Sequence, residues 1–415
     1  MGFFADGKDH TDFCAIFRRP LSPEGIAALQ PRVAELARRL LDDMIAKSLI
    51  VDLHDDFALP LPVHVISWLL GIQGDDFITL KHWSDELMDN AFGKSNERFL
   101  EVYAGICAFF DQHLDARYAM LTAAGVEEAR PEHVGTVLPD DWISDAVCAD
   151  YLGRKLNRDE QRMALMGLLV GGNETTTSLI TNLMWRLLEE PSRWEQVRSD
   201  PDQFIPVAIE ESLRFDSPAQ AMFRTTLCPV EVAGVEIGPK QKLMLNFAAA
   251  NRDPAAFDDP DSFRLDRDAR DLSRRHLAFG GGPHGCPGAP LSRMEVAVVM
   301  RLFVEHLPAA TLAGPSERSV GYNMRGRSQT ADQSRLLNVV AQERADVVAE
   351  QDGLLQCGKM PAARHLGPRL DVVDAFGIGA RGHRIEFTGE QGGARRYRET
   401  PFKRPLPHDR AIGPE

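Results

Sequence analysis

Apolar residues recur every three or four positions through most of the chain up to Phe215, the period of helices that each bury one face. Ile26, Leu29, Val33, Leu36, Leu40 and Met44 share such a face within a helix expected over Ser22–Lys47. Ser22 is its expected N-cap, Pro23 suits the first turn, and Pro31 is expected to restart it. The same period predicts helices over 51–72, 75–92, 97–123 and 142–151, with a Pro-, Gly- and acid-rich loop over 124–140. Asn157 to Glu190 differs. Asn157 and Glu160 form a capping box and Pro191 ends the run, but Met163–Val170 and Leu179–Leu188 are apolar on every side. This predicts a buried helix roughly 50 Å long, enough to cross a domain. Phe204–Phe215 is helical again. Strand-like runs follow at Phe223–Cys228, Val230–Ile237 and Lys242–Phe247, the middle one a hairpin around Ala233-Gly234. Met294, Val298, Leu302 and Phe303 then mark a last helix over Ala289–Leu307. The fold class is mainly α with a small β region.

Two stretches break these patterns. The buried helix carries Gly171-Gly172-Asn173-Glu174-Thr175-Thr176-Thr177 at its centre. Glycine costs a helix interior about 1 kcal/mol per site, and threonine hydroxyls compete for backbone carbonyls. A weakened polar island in a buried helix implies either a local use or a wet helix–helix contact. The second stretch is Phe279-Gly280-Gly281-Gly282-Pro283-His284-Gly285-Cys286-Pro287-Gly288, just ahead of the last helix. Its glycines permit positive φ and close approach to something flat or bulky. Cys286 precedes a helix N-terminus, whose N–H groups favour a thiolate. A thiolate so held suits one axial bond to iron. The alternatives are a buried structural cysteine and a zinc knuckle, for which His284 alone supplies too few partners.

Composition narrows the field. A net charge of -14 argues against nucleic acid as a partner. Six cysteines, at 14, 107, 148, 228, 286 and 357, lack pair spacing and argue for a reducing compartment rather than a disulfide framework. Met1–Cys14 has no apolar run, so neither a signal peptide nor an anchor is expected, and no run reaches membrane-spanning length. A cytoplasmic protein without membrane contact is the expectation.

The pattern Phe-x-x-Gly-x-x-x-Cys-x-Gly over 279–288 closely resembles the haem-binding loop of the cytochrome P-450 family. Gly171–Thr175 resembles that family's oxygen-activation motif, (Ala/Gly)-Gly-x-(Asp/Glu)-Thr. Glu211-Ser212-Leu213-Arg214 matches its Glu-x-x-Arg, and Asp9-His10-Thr11 its Glu-His-Thr. The resemblance spans about 9–328 and implies the cytochrome P-450 fold with haem b bound through Cys286, against Phe279, Gly280 and Gly288. It implies that Gly171 and Gly172 open a groove for dioxygen, that Glu174 relays protons, and that Thr175 serves the hydrogen-bond network there. Arg224 and His284 are the implied partners of the haem propionates. His10 is a third candidate, although Cys14 stands where the family's His-x-x-x-Arg carries its arginine. Glu211, Arg214 and, by position, Arg267 are implied scaffold.

The implied activity is monooxygenation: one atom of dioxygen enters a small apolar substrate and the other leaves as water. The chain has no dinucleotide fingerprint, and its tail offers only Cys357 to an iron–sulfur cluster. Electrons are therefore expected from a separate ferredoxin or reductase, with Arg274, Arg275 and Arg293 flanking the cysteine loop as a docking surface. The family's N-terminal β-rich part has no counterpart ahead of residue 9, so the expected fold is truncated at the N-terminus. Residues 1–328 are read as the haem domain and 329–415, rich in Gly, Pro and Arg, as a tail without resemblance. The competing reading is a non-catalytic haem-binding or interaction remnant.

Overall fold

The protein is described by a computed structural model covering residue 3 and residues 5–48, 50–72, 79–84, 86, 96–314, 324–326 and 338–340. Of the helix expected over 75–92, residues 79–84 and 86 are described and are helical; the rest of it and most of the tail from 329 lie outside the described residues. The described ones fall in one compact unit.

Helices α1 (Gly7–Ile16) and α2 (Pro23–Lys47) come first. Ser22 caps α2 by accepting from Gly25 N at 3.1 Å. Pro31 lies inside α2 without ending it. The stretch 51–72 is less regular than expected. It opens as strand β1 (Ile50–Asp52), turns through a π-helical segment at His54–Ala58, and only then forms α3 (Pro60–Leu70). Pro60 at the start of a helix has no N–H to waste there, which sets the boundary. Strand β8 (Asn338–Val340) pairs antiparallel with β1, Ile50 against Val340.

After α4 (Asn96–Ala123) and α5 (Trp142–Cys148), a small hairpin of β2 (Asp150–Tyr151) and β3 (Arg154–Lys155) leads into α6 (Arg158–Leu188). The capping box holds: Asn157 Oδ1 accepts from Glu160 N at 3.0 Å, and Glu160 Oε2 from Asn157 N at 2.9 Å. Helix α6 runs 31 residues and packs against α3, α4 and α5. Helices α7 (Pro191–Ser199) and α8 (Pro201–Phe215) follow.

The β region consists of β4 (Ala221–Thr225), β5 (Val230–Val232), β6 (Val235–Ile237) and β7 (Lys242–Asn246). Strands β4 and β7 pair, Ala221 against Asn246 and Thr225 against Lys242. Strands β5 and β6 form the expected hairpin, with φ of 48° at Ala233 and 79° at Gly234, the two positive values a tight primed turn requires. Short α9 (Phe247–Ala250), α10 (Ala269–Arg275) and α11 (Ala289–His306) complete the described elements. Helix α11 packs on α2, α8 and α6, with Phe303 against Phe57 at a ring separation of 4.8 Å. Among the described residues no helix is long and apolar enough to cross a membrane.

Candidate functional site

Helix α6 and the start of α11 line one cavity of about 190 Å³. Gly171, Gly172, Thr175 and Thr176 come from α6; Phe279, Cys286, Gly288, Leu291, Ser292 and Glu295 come from the cysteine loop and α11. The two motifs, more than a hundred residues apart in sequence, therefore share a space. Thr176 Oγ1 donates to Ser292 Oγ at 3.1 Å, tying the two helices together in the buried wall.

The cysteine loop folds as its glycines suggest. Gly280 and Gly282 have φ of 70° and 66°, where a side chain would be strained. Cys286 N donates to Phe279 O at 2.9 Å, which closes the loop. Cys286 is exposed, and the space it opens onto is the cavity. The N–H groups of Gly288 and Ala289 donate to its sulfur, and Arg293 adds a favourable field. Burial among protein atoms nevertheless dominates and pushes the thiol up from its usual value. The two amides favour the thiolate as the sequence led us to expect, and burial opposes them.

The polar island sits as expected on the opposite wall. A Cβ at Gly171 would meet nothing within 4 Å, so this face of α6 is open to the cavity. Thr175 Oγ1 donates back to Gly171 O at 3.1 Å. Glu174 does not line the cavity; it is half-buried, with a carboxylate oxygen 3.9 Å from Lys81 Nζ. Asn173 is buried with neither side-chain polar atom partnered by protein.

Beside the cysteine loop, His284 Nε2 lies 2.8 Å from the Asp6 carboxylate and its ring stacks on His10, with centroids 4.0 Å apart. His10 is buried, and its Nε2 lies 3.1 Å from Pro283 O. Asp6 titrates below the ordinary carboxylate value through its bond to His284 and the fields of His284, Arg224 and His10. Of the three expected propionate partners, His284 bonds this carboxylate, and Arg224 and His10 act on it through their fields. Asp6 is a stand-in for the chemistry they favour. Arg224 is otherwise exposed on β4 and donates to Phe223 O at 2.8 Å. Cys14 lies against His10, its Sγ 3.6 Å from Nε2.

A histidine that already binds a carboxylate, an open thiol on one wall and a bare helix face on the other suit a flat cofactor with acidic arms, so the residues present fit haem. Arg267 Nε lies 3.3 Å from Glu211 Oε1, completing the expected ion network, and Glu211 and Arg214 are fully buried. Sequence reasoning missed Phe3, Ser292 and Glu295. Glu295 is buried, Oε2 has no protein partner, and burial pushes its carboxyl up to about 8. Its spacing within the α11 pattern, on the face shared with Leu291 and Val298, was the available signal.

Known proteins agree with this picture. Erythromycin C-12 hydroxylase of Saccharopolyspora erythraea is 33% identical over 75% of this chain and 74% of its own length. A cytochrome P-450 of Bacillus subtilis strain 168, YjiB, is 35% identical over 77% of each chain. The solved structure of P-450 BioI in complex with an acyl carrier protein ligated to hexadec-9Z-enoic acid superposes with a TM-score of 0.70 at 28% identity, covering 82% of this chain and 81% of that one. The family model described as cytochrome P-450 matches residues 3–315, a span that contains the whole cavity just described, and this chain belongs to the cytochrome P-450 family.

Proposed function

We propose that the haem monooxygenase activity of this chain runs in the cavity between Gly171 and Cys286, where Cys286 Sγ would hold the haem iron. The observation that carries the proposal is that one cavity is lined both by this thiol and by the Gly171–Thr175 island. Haem b supplies, when bound, the activation of dioxygen by two electrons and two protons, one oxygen atom going to substrate and one to water.

The chain's own residues do the rest. The Gly288 and Ala289 amides hold negative charge on the sulfur. His284, Arg224 and His10 orient the cofactor by its carboxylates. Glu174, poised outside the cavity near Lys81, takes protons from solvent; Thr175 hands them inward when its hydroxyl turns from Gly171 O. Ile66, Leu168, Leu291 and Phe3 exclude water and favour a small apolar substrate. For an acidic ferredoxin, Arg274 is, of the three expected, the one without an ion-pair partner among the described residues. Arg275 is paired with Asp271 at 2.9 Å and Arg293 with Glu210 at 2.6 Å.

The test is an absorption spectrum of purified protein, reduced and exposed to carbon monoxide. A strongly red-shifted Soret band that disappears in Cys286→Ala supports the assignment. A band of histidine or neutral-thiol type, or one that survives Cys286→Ala, refutes it and favours the remnant reading.

A further inference from the structure

Glu210 and His276 have no part in the chemistry above, yet both are buried and, with the half-buried Arg293, form one cluster. Glu210 on α8 is buried. Its Oε1 accepts from Arg293 Nε at 2.6 Å, and its Oε2 from Arg293 Nη2 and His276 Nε2, both at 2.8 Å. Ala278 N donates to His276 Nδ1 at 3.3 Å, which leaves the ring proton on Nε2, facing the carboxylate. Burial raises the Glu210 carboxyl, but the bonds to Arg293 and His276 outweigh it and hold the group ionised, below its ordinary value.

The two donors occupy telling positions. His276 ends α10, ten residues before Cys286; Arg293 lies on α11, seven residues after it. Between them run five glycines, at 280, 281, 282, 285 and 288. Such a segment loses much backbone entropy on ordering and has few side chains to pin it. One carboxylate grips both ends. The Arg293 guanidinium also lies over the Phe279 ring, 4.7 Å from its centroid, and Phe279 O receives the Cys286 N–H.

We infer that Glu210 is a positioning residue that staples both ends of the cysteine loop through His276 and Arg293, and through Phe279 fixes where the Cys286 sulfur stands. The inference rests on the reading of Cys286 as the haem ligand. Glu211, the next residue, serves a separate network with Arg214 and Arg267. Consecutive carboxylates on one helix thus hold different parts of the fold.

The experiment uses haem-loaded protein and reads the red-shifted carbon monoxide band in urea below the unfolding transition, with helix content followed alongside. Glu210→Gln keeps the shape but cannot accept at both oxygens. It is expected to lose the band at least about tenfold faster than wild type while helix content holds, since breaking one side of a buried pair is costly. Arg293→Lys, at a partly exposed site, keeps the charge but not the fork; it too loses the band faster, and it decides the matter if Glu210→Gln does not fold. His276→Gln, which still presents an N–H, stays near wild type, whereas His276→Leu behaves like Glu210→Gln. Wild-type band lifetimes in Glu210→Gln and Arg293→Lys overturn the staple alone. Absence of the band from wild type overturns both the staple and the ligand reading.

Discussion

Replacing Gly171 and Gly172 by alanine, one at a time, separates two demands on the centre of α6. In a regular helix either change gains up to about 1 kcal/mol, because alanine orders less backbone freedom than glycine. At Gly171 the added methyl meets no atom within 4 Å, so the gain is kept in full. At Gly172 the methyl would stand 2.1 Å from Ile66 Cδ1 and 2.5 Å from its Cγ1. Ile66 is buried on α3 and β-branched, so it has few rotamers into which to retreat. Overpacking of this kind costs about 1–3 kcal/mol. The two variants should therefore differ by about 1–3 kcal/mol, Gly171→Ala being the more stable. Equilibrium urea unfolding measures the difference. The Gly171 methyl also protrudes into the cavity, so this variant should gain stability while losing affinity for haem or substrate. Equal stability of the two variants, or a Gly171→Ala protein less stable than wild type, refutes the reasoning.

Glu211→Gln leaves Arg214 fully buried without its charge partner and should destabilise by about 3–5 kcal/mol in chemical unfolding; a loss below about 1 kcal/mol would show the carboxylate to be dispensable. Cys14→Arg restores a guanidinium one turn from His10 and should raise the haem occupancy of purified protein, whereas equal occupancy means position 14 does not serve a propionate. Burial lifts Glu295 from 4.5 to about 8. The folded state therefore keeps a proton that the unfolded chain releases, and stability from this group is full below 4.5, falls as pH rises, and is gone above about 8. Glu295→Gln should flatten the pH dependence of unfolding across that window, and an unchanged slope would contradict the assignment.

The polar island and the cysteine loop were legible because each violates a local rule: glycines and threonines inside a buried helix, and glycines crowded before a helix start. The capping box at Asn157 and the hairpin at Ala233-Gly234 were legible because their determinants sit within four residues of one another. What was missed depends on distant partners. A charged residue in a periodic helix ordinarily reads as solvent-facing, so Glu210 gave no warning, and the Glu211–Arg214 pair stood out through the family resemblance alone. The Arg214 guanidinium in fact bonds carbonyls of Asn251, Pro260 and Ser262, which local pattern cannot foresee. Likewise 51–72 read as one helix because the partner of β1 lies near residue 340. The burial that opposes the Cys286 thiolate was hidden for another reason: adjacent amides are visible in a sequence, but burial is not.

The contact of Asp6 and His10 with Pro283 and His284 also sets a schedule for the newborn chain. These partners are separated by 278 and 273 positions, so nothing the ribosome has released can form this side of the pocket until the last tenth of residues 1–315 is being made. At translation rates of about 5–20 residues per second that delay is roughly 15–60 s. Throughout it, α1 waits with its His10 side uncovered. Capture of the cofactor on this side therefore waits until residue 284 has emerged, and slow translation lengthens the period in which a chaperone must shield the opening helix.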